Sequence, residues 1–319
     1  MQLYSLDSDS ILAKALAASL GLPIASHEDR HFEDGECKLR PLLDPRGADV
    51  YVIYSLHGDS LHSPHDKLCR LLMFISTLRE HGAARVTAVV PYLAYARKDR
   101  QTKMFDPVNL RYVAQMFESL GTAQMIVLEA HNVAALQNAF RCQMMHLDVH
   151  PIFDALVLEL AGTDALAIAS PDPGGVKRAQ QWRESLETTL KRPVGFAMVD
   201  KRRSAGIVSS ENLVAGDVNG MSVLLFDDLI ASGETMNRAA KALLAAGARQ
   251  VIACAAHGLF IDPASEILTS DNIAKIIVTD SVPPFRLAAD AVLRDKLCIA
   301  SAAPLFAHAI KLSHATWLR

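Results

Sequence analysis

The chain has 319 residues, 50% of them hydrophobic and 21% charged, enough apolar material for about two domains by the usual size relation. Its net charge of −3 and isoelectric point of about 6.5 argue against a nucleic-acid-binding surface, and no apolar run approaches the length of a membrane span. The five cysteines (Cys37, Cys69, Cys142, Cys254 and Cys298) are odd in number, scattered and without metal-ligand spacing, which points to thiols in a reducing cytoplasm.

Asp7 and Asp9 precede the first apolar helix with no basic stretch before them, so no secretory leader is expected. Short apolar runs then alternate with helical patterns. Strands are predicted over 51–54, 86–90, 125–128, 165–169, 195–199, 223–226, 251–255 and 276–278. Each run is nearly continuous rather than alternating, as in strands covered on both faces. Helices are predicted over 67–81, 107–120, 175–190 and 236–246, the last stopping at Gly247, a residue suited to a left-handed cap. The alternation implies an α/β fold of parallel sheets, two of them in tandem, with a boundary near residues 150–151.

Chemistry-bearing residues gather where the predicted strands end. After 86–90 comes a basic, aromatic loop through Tyr95, Arg97, Lys98 and Arg100 to Phe105 and Asp106. Arg97 and Arg100 suit phosphate clamps, and an arginine plane can stack on a base. After 125–128 come Glu129, His131 and Asn132, where His131 suits either a metal or a phosphate oxygen. After 165–169 the chain reads Ser170, Pro171, Asp172, Pro173, Gly174, Gly175, then Lys177 and Arg178 at a helix start. Asp172 suits Mg²⁺, directly or through water, and the glycines permit close backbone approach to a ligand. After 195–199 come Asp200, Lys201, Arg202 and Arg203, cations that repel one another unless anions sit among them.

The run 223–226 is the most telling. It ends in Asp227 and Asp228, followed by a short loop of small residues, Ala231, Ser232 and Gly233, and then by Glu234 and Thr235 at the start of a helix. Two carboxylates can accept hydrogen bonds from a vicinal diol, and loop amides with a helix N-terminus can hold a phosphate dianion. A diol and a phosphate on one small molecule describe ribose 5-phosphate or a pyrophosphorylated ribose. No GxxxxGK[ST] loop and no protein-kinase signature set is present.

This last segment resembles the phosphoribosyl pyrophosphate (PRPP) loop of the type I phosphoribosyltransferase fold. Taken in order, the segments resemble the ribose-phosphate pyrophosphokinase (PRPP synthetase) family over nearly the whole chain. His31, Phe32, Glu33, Asp34, Gly35 and Glu36 are similar to its FxDGE loop, which reaches into a neighbouring subunit's adenine pocket. Residues 91–100 are similar to PYxxYARQDR, Glu129–His131 to DLH, 170–179 to SPDxGGxxRA, and Lys201 with Arg203 to the catalytic KxR pair. Gly216-Asp217-Val218, 256–260 and Thr279-Asp280-Ser281 are similar to later family segments.

The resemblance implies two tandem type I phosphoribosyltransferase-like domains, each a mainly parallel sheet flanked by helices. Residues 1–150 would carry the ATP-side loops and 151–303 the ribose 5-phosphate loop, with a C-terminal helix over 304–319 packing back on the first domain. The implied reaction moves pyrophosphate from ATP to the anomeric hydroxyl of ribose 5-phosphate, giving PRPP and AMP. Phe32, Asp34, Glu36, Arg97 and Lys98 would bind adenine, and Arg97, Arg100 and His131 the triphosphate. Lys201, Arg203 and Arg97 would be catalytic. Asp172, Asp227, Asp228, Ala231, Ser232, Gly233, Glu234 and Thr235 would hold the sugar phosphate. Mg²⁺ would be the cofactor, held by His131, Asp172 and Glu129, in a cytoplasmic homo-oligomer of two or six copies that binds neither nucleic acid nor membrane.

The chain also departs from the family. Lys98 stands for Gln, Glu129 for Asp, Ala231 for Asp and Glu234 for Gly, and the tail from Ser313 lacks the usual serine-rich end. Two other readings stay open: a catalytically weak relative that regulates an active partner, and a phosphoribosyltransferase that consumes PRPP. The basic loop over 98–106 is expected to be poorly ordered without a bound anion to pack against.

Overall fold

The computed structural model describes residues 1–161, 164–204, 207–287 and 291–318, with side chains given outside 161 and 201–212. The chain divides into two compact units, Met1–Asp148 with the segment from Ala302 onward, and Val149–Ser301.

The first unit runs β1 (Gln2–Ser5), α1 (Ile11–Leu20), β2 (His27–His31), β3 (Cys37–Pro41), β4 (Asp49–Ile53), α2 (Pro64–Glu80), β5 (Arg85–Val90), α3 (Asn109–Ser119), β6 (Gln124–Leu128), α4 (Val133–Ala139) and β7 (Gln143–Leu147). Its sheet has the order β1-β4-β5-β6-β7 and every pairing is parallel. Strands β4, β5 and β6 are buried at every residue, which is why their sequences read as unbroken apolar runs. Strands β2 and β3 form a separate antiparallel hairpin. The start of α2 is well specified: Ser63 Oγ accepts from the Asp66 amide, Asp66 Oδ2 accepts from the Ser63 amide, and Pro64 opens the first turn.

The second unit runs α5 (His150–Ala161), β8 (Leu166–Ser170), α6 (Val176–Leu190), β9 (Gly195–Ser204), β10 (Ile207–Ala215), β11 (Ser222–Ile230), α7 (Glu234–Ala245), β12 (Gln250–Gly258), α8 (Ala264–Leu268), β13 (Lys275–Thr279), α9 (Ala291–Lys296) and β14 (Leu297–Ala300). Its sheet has the order β10-β9-β8-β11-β12-β13-β14, parallel throughout except for the β9–β10 hairpin. The chain lays β9 and β10 on one side of β8, then crosses to place β11 on the other. That reversal is a topological switch point, and open α/β sheets bind ligands outside the carboxyl ends of the strands there. The first sheet advances in one direction from β1 to β7 and has no such reversal.

Behind the switch point the second unit is packed with aromatics. The Trp182 ring on α6 meets Phe226 on β11 edge-on at 4.8 Å, and Phe153 on α5 packs against both. Trp182 is fully buried, and its indole nitrogen donates to Asp154 Oδ1 at 2.8 Å. Phe226 immediately precedes Asp227, so this cluster fixes the backbone from which the acidic pair springs.

The last helix, α10 (Ala303–Trp317), belongs to the first unit and packs against α1 and β7. A polar network ties it to the amino ends of β4, β5 and β6. Arg85 donates to Asp49 from Nε at 2.7 Å and from Nη2 at 2.8 Å, His314 Nδ1 lies 2.7 Å from Asp49 Oδ2, and Ser313 Oγ donates to Gln124 Oε1 at 2.5 Å. Burial alone would raise the Asp49 carboxyl, but the hydrogen bonds from Arg85 and His314 hold it below the usual range. All five cysteines are free thiols, and no helix among the described residues is long and apolar enough to cross a membrane.

Candidate active site

Strand β11 outruns the predicted 223–226. It keeps register with β8 only from Ser222 to Leu225, but with β12 it pairs on to Ile230 opposite Gly258. Asp227 and Asp228 therefore stand in the strand itself, on the flank that β8 has vacated, rather than after its end. The Asp227 side chain is 21% exposed and that of Asp228 5%. The Asp228 amide donates to Asp227 Oδ1 at 2.8 Å, and Arg178 Nη1 reaches Oδ1 of both carboxylates at 3.2 Å. Burial first, and then the Asp228 carboxylate beside it, push the Asp227 carboxyl well above its usual range, with Arg178 acting against them.

Beyond Ile230 the chain turns through Ala231, Ser232 and Gly233 into α7. Gly233 has φ of 81°, and a Cβ there would lie 2.8 Å from the Leu268 side chain, so both backbone and packing demand glycine. A glycine N-cap offers no side-chain acceptor, and among the described residues the Glu234 amide finds only Ser232 Oγ, at 3.5 Å. The first amides of a three-turn helix are thus left facing an anion's natural seat. Glu234 is exposed and Thr235 half-buried.

Across the switch point, β8 ends in a tight turn. Ser170 Oγ donates to the Asp172 carbonyl at 2.6 Å, and Asp172 Oδ1 accepts from the Gly174 and Gly175 amides at 2.8 and 3.2 Å. A Cβ on Gly175 would fall 2.7 Å from Ser170 Oγ, so glycine lets the turn close. Asp172 is exposed. One of its oxygens is engaged as a cap, and among the described residues nothing engages Oδ2.

The basic run after 195–199 is not a loop. Strand β9 continues to Ser204 because β10 supplies an antiparallel partner, with Lys201 opposite Asn212 and Arg203 opposite Val208. Hydrogen bonding across this hairpin keeps the polar segment extended where apolar content alone predicted a strand end. The side chains of Lys201 and Arg203 lie outside the described residues.

The other candidate residues belong to the first unit. The β2–β3 hairpin presents Phe32, 41% exposed, with the Arg30 guanidinium 5.0 Å from its ring centroid. Asp34 Oδ1 accepts from the Glu36 amide at 3.1 Å, closing the turn; Asp34 and Glu36 are exposed. Arg97, Arg100 and His131 are exposed too, whereas Glu129 is 3% exposed with φ of 41°. Asn132 Nδ2 donates to Asp99 Oδ2 at 2.6 Å, fastening the basic loop beside His131.

That loop has its own internal anion, contrary to the expectation that it would lack a packing partner. Asp106 accepts from Lys98 Nζ at 2.5 Å, from Thr102 Oγ1 at 2.7 Å, and from the Thr102 and Lys103 amides at 3.0 Å each. The Lys98 and Thr102 hydrogen bonds hold the Asp106 carboxyl well below its usual range. Lys98, expected at adenine, is thus engaged within its loop. Sequence reasoning passed over two contacts here, those of Asp106 and of Arg178. Both residues sit in segments already singled out, but their partners are 8 and about 50 positions away.

Comparison with known proteins covers both units. Residues 1–121 match the model of the N-terminal domain of ribose phosphate pyrophosphokinase, and residues 148–289 that of the phosphoribosyl transferase domain. The chain is 34% identical over 314 residues to a ribose-phosphate pyrophosphokinase of Caldanaerobacter subterraneus, spanning 98% of this chain and 95% of that one. It is 33% identical over 314 residues to that of Listeria ivanovii, spanning 98% and 94%. Among solved structures, the phosphoribosylpyrophosphate synthetase of Mycobacterium smegmatis is similar with a TM-score of 0.86 at 29% identity, over 99% of each chain.

Proposed function

The chain belongs to the ribose-phosphate pyrophosphokinase family, and from that premise we propose that it transfers pyrophosphate from ATP to ribose 5-phosphate, giving PRPP and AMP. The observation that carries the reading is the paired Asp227 and Asp228 beside a glycine-capped helix start, at the switch point of the second sheet. The carboxylates accept from the two ring hydroxyls, and the amides from Ser232 to Thr235 take the 5-phosphate. The anomeric hydroxyl then attacks the β-phosphorus, its proton passing to solvent, and the bond from that phosphorus to the oxygen bridging it to the α-phosphate breaks, the oxygen leaving on AMP.

Lys201 and Arg203 neutralise charge on the phosphoryl oxygens as that bond exchanges, and Arg97 with Arg100 clamps the triphosphate. His131 takes a phosphate oxygen. Phe32 stacks on adenine while Asp34 and Glu36 accept from its amino edge, in a neighbouring copy of a homo-oligomer. Lys98 would exchange Asp106 for the nucleotide to reach it. Glu234, being exposed, can turn its charge away from the phosphate. Charge stabilisation by prearranged cations supplies most of the rate, with no dedicated base. A cytoplasmic location suits both substrates and the free thiols.

Magnesium is the cofactor this reading implies. Mg²⁺ takes one or two carboxylates and completes its shell with phosphate oxygens and water. Asp172 fits, being exposed with Oδ2 open and Oδ1 fixed by two amides. No cluster of three or more His, Cys, Asp or Glu side chains able to cage a metal occurs among the described residues, so Asp172, His131 and Glu129 would each contribute singly. When bound, the ion offsets triphosphate charge.

The pure chain should release AMP from ATP only when ribose 5-phosphate and Mg²⁺ are both present. No release alone, with altered turnover of an added active synthetase, would contradict the reading and favour a regulatory subunit.

A further inference from the structure

Two adjacent carboxylates at the burial of Asp227 and Asp228 disfavour one another's charge, and such pairs tend to share a proton. A carboxyl that donates to its neighbour is turned inward and offers fewer oxygens to a ligand. The group that opposes this is Arg178. Its side chain is 13% exposed, and one nitrogen, Nη1, stands 3.2 Å from Oδ1 of each acid. Arg178 is the third residue of α6, so its reach is set by the turn before it. There Ser170 and Gly175 close so tightly that no Cβ fits, which seats the helix start against β11.

We propose that Arg178 is the positioning residue of the sugar-phosphate site: by bridging Asp227 and Asp228 it holds both as acceptors for two neighbouring hydroxyls. The inference rests on reading this site as the sugar-phosphate site. Arg178 acts through the acids and does not itself touch the sugar. The guanidinium suits the task because one nitrogen of a rigid fork lies between two fixed oxygens, and an ammonium on a flexible stem can restore the charge though not the full geometry. The arrangement also couples the two halves of the site, since the turn that presents Asp172 is the one that aims Arg178.

The test compares the full-length wild type with Arg178→Met and Arg178→Lys, measuring KM for each substrate and calorimetric binding of ribose 5-phosphate. Fluorescence of the buried Trp182, also on α6, checks that the local packing is kept. Arg178→Met should raise KM and Kd for ribose 5-phosphate about tenfold or more, leave KM for ATP within about twofold, and be largely rescued by Arg178→Lys. Equal loss for both substrates, or a lysine variant as impaired as the methionine one, would show a merely structural role and overturn the inference. Unchanged ribose 5-phosphate binding in Arg178→Met would overturn it while the functional reading stands. A wild type that does not bind ribose 5-phosphate would overturn both.

Discussion

Replacing Lys201 with alanine is expected to lower turnover about a hundred- to thousandfold, the usual cost of removing one prearranged charge from a transition state. ATP binding should stay largely intact, because the triphosphate clamp proposed above is assigned to Arg97, Arg100 and His131, all in the first unit. The reason for so large an effect on rate alone is that charge builds on the transferred group only while the bond to AMP is breaking. Lys201 and Arg203 lie two positions apart on β9, a strand paired with β10 through a register shift between Val208 and Asn212. Groups that act as a unit are not additive, so adding Arg203→Ala should cost less than its single effect implies. A Lys201→Ala enzyme within about twofold of wild type would refute the assigned role.

The second large effect should come from Asp227→Asn with Asp228→Asn. Binding of ribose 5-phosphate should weaken about a hundredfold, since two charge-assisted hydrogen bonds are lost. The half-buried guanidinium of Arg178 would also lose both of the carboxylates it bridges. ATP binding should change by no more than about twofold. The two acids lie on β11 beyond the last residue paired with β8, and the pairing with β12 that continues past them is made by the backbone, not by their side chains. Calorimetry separates the cases: equal weakening for both ligands would mark the pair as structural.

The sequence made the buried middle of each sheet legible and its margins not. Strands β4, β5, β6, β8, β11, β12 and β13 all overlap predicted runs, because burial on both faces writes an unbroken apolar string. The hairpin β2–β3 was missed since β2 reads His-Glu-Asp-Arg-His and is half-buried or exposed throughout. Edge strands β7 and β14 were missed for a related reason, having partly exposed positions along their length. The extension of β9 through three cations was invisible because its partner β10 stabilises it through backbone hydrogen bonds, which leave no compositional trace.

The candidate site divides in the same way. The places of Asp172, Asp227 and Asp228 were readable because the apolar runs before them can be located, although β11 runs on past the acidic pair. The bridge from Arg178 to the acids was not, since which cation meets which anion is decided by the crossing of α6 over β8 and β11. Nor was the engagement of Lys98 by Asp106, which gives a nominally basic loop its own folded shape. Composition does not show that a single carboxylate, Asp106, organises several donors there.

The most direct test of the account is phosphorus NMR of the pure chain incubated with ATP, Mg²⁺ and ribose 5-phosphate. Attack at the β-phosphorus predicts AMP and a sugar-bound pyrophosphate doublet pair growing in equal amounts, with no ADP. ADP accompanied by a sugar bisphosphate, or an unchanged ATP spectrum, would contradict it.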